Sequence, residues 1–176
     1  MKRIIITLGL AVVALVAATA ALAGTLTTTA TVTGTAGISL NLPANPTITD
    51  TLDGTDQTVS YGPVLGIVDA RGSGAGWNLQ ISATTFSDGA GHTLAQGQVG
   101  SVAQACKAGS TCTPATSSGI TYPLTISTTP AKVFVAALNT GLGKIDVTPT
   151  MNVAIPGNAY AGGYTSTVTL AATTGP

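Results

Sequence analysis

Val68-Asp69-Ala70-Arg71-Gly72-Ser73-Gly74-Ala75-Gly76-Trp77-Asn78-Leu79-Gln80-Ile81-Ser82-Ala83 contains the only tryptophan of the 176-residue chain. In its second half Trp77, Leu79, Ile81 and Ala83 share one parity, and Asn78, Gln80 and Ser82 share the other. Successive side chains of a strand point to opposite faces, so this period of two predicts a strand with one apolar face on a core. Gly72, Gly74 and Gly76 precede it and allow close backbone approach in the entry loop.

The same period recurs outward in both directions. From Leu26 to Leu42 the even positions are Leu, Thr, Ala, Val, Gly, Ala, Ile, Leu and Leu, while the odd ones are nearly all Thr, Ser or Asn. This predicts one long strand with a threonine face toward water, bent or bulged at Gly34 and Gly37 and ended by Pro43 and Pro46. Gln57–Tyr61 and Val64–Val68 read as strands around Gly62-Pro63. Further strands are expected at Tyr122, Leu124 and Ile126; at Val133, Val135 and Ala137; at Ile145, Val147, Met151 and Val153; and at Tyr164, Ser166, Val168 and Leu170. Pro149 marks its strand as an edge or a bulge. The segment from Ser87 to Gly119 is the least regular. Some 8–10 short strands separated by turn signals predict an all-β fold, an antiparallel β-sandwich.

The N-terminus reads differently. Met1-Lys2-Arg3, an apolar run from Ile4 to Ala20 and Ala21-Leu22-Ala23 before Gly24 have the layout of a secretory signal peptide over residues 1–23. A retained membrane anchor is the rival reading of that run. Residues 24–176 are then a single domain, with a loop insert around 87–119, secreted to the cell surface and without a membrane span after cleavage.

Charge narrows the partners. After the leader, Arg71, Lys107, Lys132 and Lys144 face six aspartates and no glutamate, a net charge of −2. Nucleic-acid binding needs a basic face, which this composition does not supply. Asp50, Asp53 and Asp56 read as a solvated turn; calcium is the alternative, but their spacing departs from the EF-hand loop. Cys106 and Cys112 in an exported chain read as a disulfide that pins a surface loop. The single His92 nominates no metal site, and no Gly-x-Ser-x-Gly, His-Glu-x-x-His or phosphate-loop pattern occurs. The sequence therefore points to a non-enzyme with no cofactor.

Asp69-Ala70-Arg71-Gly72, the glycine turn and Gly76-Trp77-Asn78-Leu79 resemble the first signature of the WxL cell-surface domain family. The closing Gly163-Tyr164-Thr165-Ser166-Thr167-Val168-Thr169-Leu170 strengthens the resemblance. A second Trp-x-Leu, usual near the C-terminus of the family, is absent; Thr169-Leu170 or Val168-Thr169-Leu170 stands at the corresponding place. The resemblance implies non-covalent attachment to the bacterial cell wall, through peptidoglycan or another wall polymer, with other surface proteins as further partners. It nominates Asp69, Arg71, Trp77, Asn78, Leu79 and Tyr164 as wall-binding residues. Trp77 has two readings: a core residue of the sandwich, or an exposed ring stacked on a sugar. Asp69 and Arg71 are either a surface pair worth about 0–1 kcal/mol or the brace of the glycine loop. A different class of function also fits: a structural subunit of a surface fibre or layer, assembled by donating the strand from Leu26 to Leu42 to a neighbour's sheet edge.

Overall fold

The computed structural model describes residues 28–34, 37–116 and 119–176. The leader reading of residues 1–23 lies outside them, as do Leu26, Thr27, Thr35 and Ala36. Among the described residues no helix is long and apolar enough to cross a membrane.

Eleven strands form among the described residues: β1 (Ile38–Asn41), β2 (Gln57–Tyr61), β3 (Leu65–Asp69), β4 (Trp77–Ala83), β5 (Phe86–Ser87), β6 (Thr93–Leu94), β7 (Gln98–Cys106), β8 (Leu124–Thr125), β9 (Ala131–Ala136), β10 (Gly143–Ile155) and β11 (Val168–Thr174). Every pairing between them is antiparallel. The larger sheet has the order β1-β3-β10-β7-β8, with β2 also on β10; the smaller has the order β11-β4-β9, and β5 and β6 form a hairpin. Leu65, Ile67, Val99, Ile145, Val147 and Met151 from the larger sheet meet Trp77, Leu79, Ile81, Val133 and Phe134 from the smaller in one buried core. This is the expected β-sandwich. Burying each such side chain is worth about 1.5–3 kcal/mol, which makes this core the dominant stabilising term.

Four expectations change. Of the strand predicted over Leu26–Leu42, the described residues form strand at Ile38–Asn41 alone. Thr28–Gly34 adopts no strand, and Val32 is 93% exposed. Among the described residues no strand pairs with Thr28–Gly34, so its apolar positions meet no core, whereas Ile38 and Leu40 lie on a strand paired with β3 and pack against the core. Second, the segment read as irregular contains the nine-residue strand β7, paired along β10. The register of that pair shifts between Thr150 and Met151, leaving Gly100 as the extra residue. Third, β10 is interior, so of the two readings of Pro149 the edge is excluded, while the register shift between Thr150 and Met151 puts a bulge beside it. β3 pairs β10 only as far as Val147 and β2 begins at Met151, so residues 148–150 face a gap between two partners. A prolyl nitrogen is tolerated where one ladder is interrupted. Fourth, the strand read at Tyr122, Leu124 and Ile126 shrinks to Leu124–Thr125.

Candidate functional site

β3 lies between β1 and β10, so its last residue, Asp69, is flanked by Ile38 and Gly143 and is only 1% exposed. An unpaired carboxylate there would be costly. Arg71 supplies the partner with two parallel bonds: Nε donates to Oδ1 at 2.9 Å and Nη2 to Oδ2 at 2.8 Å. The Arg71 amide donates to Oδ1 as well, at 3.2 Å. These bonds from Arg71 hold the Asp69 carboxyl below the usual carboxylate range, outweighing the opposing effect of burial. The pair is thus buried and bidentate, not the weak surface pair that spacing alone allows.

The guanidinium reaches two further segments. Nη2 donates to the Gly76 carbonyl at 2.8 Å, and Nη1 to Thr174 Oγ1 at 3.0 Å. One side chain therefore joins the end of β3, the exit of the glycine loop and the end of β11. The loop itself needs glycine. Gly72, Gly74 and Gly76 all have φ between 64° and 68°, and a Cβ on Gly76 would lie 2.5 Å from the Ala136 carbonyl. At its middle, the Asn139 amide donates to the Gly74 carbonyl at 2.7 Å.

Trp77 starts β4 fully buried, its ring 5.6 Å from that of Phe134. Its Nε1–H donates to the Gly141 carbonyl at 2.9 Å, which satisfies the one polar atom of a buried indole. Leu79 is equally buried. The Trp-x-Leu triplet thus faces the core. Asn78 departs from the simple two-face pattern, because it too is buried, at 5% exposure. Its Nδ2 donates to the Gly175 carbonyl at 2.8 Å, and its Oδ1 accepts from Gln80 Nε2 and Thr173 Oγ1. Gly175 in turn donates its amide to the Gly76 carbonyl at 3.2 Å. Asp69, Arg71, Trp77, Asn78 and Leu79 are therefore brought together, and through Arg71 and Asn78 the cluster grips the end of β11.

Tyr164 belongs to another cluster. Its hydroxyl donates to the Tyr160 carbonyl at 2.9 Å, and it lines a groove of about 530 Å³ with Asp50, Phe86 and Tyr160. β11 begins only at Val168, so Tyr164 precedes the strand that parity assigns to it. Beside it, Tyr160 is 65% exposed and stacks on His92, with ring centroids 3.9 Å apart. His92 Nδ1 is 2.5 Å from Asp88 Oδ2, and this contact holds the Asp88 carboxyl below its ordinary range. Sequence reading passed over His92 and Tyr160 because their meeting depends on two loops distant in the chain.

The other residues singled out in the sequence lie at the end of β7 and in loops. Cys106 and Cys112 form the disulfide, closing a loop of six-residue separation. Asp53 Oδ1 accepts from the Thr55 hydroxyl and amide, which lowers its pKa, and Asp56 accepts from the Gly157 amide.

A family model described as WxL domain, surface cell wall-binding, matches residues 41–171. No curated protein and no solved structure gives a significant match.

Proposed function

The chain belongs to the WxL family of surface cell wall-binding domains, and from that premise we propose that it is a secreted, non-catalytic module that attaches non-covalently to peptidoglycan. The family match across residues 41–171 carries this reading. Charge supports peptidoglycan over the anionic wall polymers. Arg71 is engaged by Asp69, Lys107 lies 3.7 Å from Asp146, and Lys132 donates to the Pro176 carbonyl, which among the described residues leaves Lys144 as a single further exposed cation on β10. Binding a polyphosphate would need several cations aimed outward. Within this reading the Trp-x-Leu triplet and Arg71 hold the sandwich in shape, and the grip on the wall lies elsewhere on the surface. The test is sedimentation of the purified protein with isolated walls, before and after acid extraction of anionic polymers. Equal retention on both supports the proposal; loss of retention after extraction refutes peptidoglycan as the ligand.

A second reading, a fibre subunit joined by strand addition, draws on Thr28–Gly34. This alternating segment is exposed and outside any strand, as an unused donor would be. A chain that remains monomeric at all concentrations by size-exclusion chromatography rules it out.

A further inference from the structure

The groove that Tyr164 and Tyr160 line has no role in holding the sandwich's motif end together. Resting on the wall-binding reading above, we propose that this groove is the gripping site and that its occupant is an uncharged N-acetylated aminosugar ring of the wall's glycan strand.

Its size, about 530 Å³, suits one or two sugar rings. Phe86, Leu94, Val153 and Ile155 line it with apolar surface, Asp50 supplies a carboxylate, and none of its lining residues is a cation. A polyanion is repelled from such a site, while a neutral sugar offers hydroxyls to the carboxylate and an acetyl methyl to the apolar surface.

Tyr160 supplies the stacking surface. It is the most exposed aromatic side chain of the described core-forming and surface hydrophobics, at 65%. One of its faces is covered by His92, so its remaining exposure lies on the other face and the edge. The C–H face of a pyranose is apolar and packs on an aromatic ring in this way. The ring is also held before any ligand arrives. Asp88 fixes His92 beneath it, and the Ala159 amide donates to the Pro156 carbonyl just before it. Tyr164 bonds its carbonyl, and Thr165 pairs with Ser87 through two backbone bonds of 2.9 and 3.0 Å. An aromatic platform fixed in advance loses little entropy on binding.

The experiment measures retention of the full chain on purified peptidoglycan, with a soluble N-acetylglucosamine tetramer or a free stem peptide as competitor. The tetramer is expected to displace the protein and the stem peptide to leave it bound. Tyr160→Ala is expected to weaken retention about tenfold or more, and Tyr160→Phe by less than about threefold, because the stacking face survives. Asp50→Ala, at an exposed turn, serves as a second variant and is also expected to weaken retention. Thermal unfolding of each variant, unchanged from wild type, separates loss of the site from loss of the fold. Wild-type retention matched by Tyr160→Ala and Asp50→Ala overturns the groove while leaving wall binding intact. Displacement by the stem peptide alone overturns the sugar assignment. A wild-type chain that never sediments with peptidoglycan overturns the earlier reading itself.

Discussion

Trp77 and Gly141 fit together as a polar contact with no room to spare: the indole Nε1–H donates to the Gly141 carbonyl at 2.9 Å, and a Cβ placed on Gly141 would lie 2.5 Å from that same Nε1. Gly141 also has a φ of 74°, a conformation that side chains disfavour. Gly141→Ala therefore combines backbone strain with displacement of the indole. A loss of about 2–4 kcal/mol is expected in chemical denaturation. A loss under about 0.5 kcal/mol would show that the contact is looser than described.

Trp77 reports on its own burial, being the only tryptophan. Its emission should be blue-shifted and poorly quenched by iodide in the native state, and both should change on unfolding. Trp77→Ala is expected to cost about 3–5 kcal/mol through the cavity it leaves. Ready quenching of the native protein would contradict an indole in the core.

Removing the Arg71 side chain leaves Asp69 as a buried carboxylate with only a backbone amide as partner, and takes one bond each from Gly76 and Thr174. Arg71→Ala is expected to destabilise by about 3–5 kcal/mol. Arg71→Lys should recover only part of this, because an ammonium cannot make two parallel bonds to one carboxylate and still reach both other partners. Urea midpoints of the three proteins give the comparison, and a lysine variant as stable as wild type would remove the bidentate geometry from the account.

Acid should weaken the fold through the same pair. The Asp69 carboxyl is held below its unfolded value, chiefly by the hydrogen bond from Arg71. The unfolded chain therefore binds the proton first as pH falls. The stability from this group is complete above the unfolded value of about 3.9 and is lost progressively as pH drops below it toward the folded value. Asp88, bonded to His92, and Asp53, bonded to Thr55, act in the same direction. Unfolding free energies measured between pH 5 and pH 2 should fall with acidity, with a shallower slope in Asp69→Asn. An unchanged slope would assign the acid sensitivity to other carboxylates.

The disulfide should matter locally. Cys106 and Cys112 close a short loop at the end of β7, and Cys106 is exposed. The loop-entropy model gives about 2 kcal/mol for closing so few residues. The paired Cys106→Ala, Cys112→Ala variant should lose about that much and keep its near-ultraviolet circular dichroism. Collapse of the tertiary signal would mean that the loop supports the core.

Much of this architecture was readable because β4 obeys a strict period of two at Trp77, Leu79 and Ile81, all of them core residues. The burial of Asn78 was not readable. It depends on Thr173 and Gly175, and nothing near Asn78 in sequence announces them. β7 escaped because the bulge at Gly100 switches its parity: Val99 is buried on one side of it and Val102 packs against the core on the other. Small residues between them carry no amphipathic signal. The opposite error arose at Leu26–Leu42, where alternation extended well beyond the residues that pair with β3: Val32 and Leu42 keep the parity and are exposed. The motif Asp69-to-Leu79 identified the family, but its meaning changed. Sequence could place Trp77 on a face without showing which sheet covers that face. Tyr164 was nominated by resemblance, while its neighbours Tyr160 and His92 gave no sign of stacking.

The grip of Asn78 on Gly175 spans 97 positions, and β4 itself pairs with β11 along its whole length. A chain delivered N-terminus first, from a ribosome or through a narrow channel, presents β4 long before its partner exists. Until β11 arrives, the strand bearing Trp77 lacks one neighbour, and the small sheet cannot close. Contacts so distant along the chain also make folding slow. The topology thus leaves the larger sheet free to assemble first and makes the arrival of β11 the step that completes the smaller one.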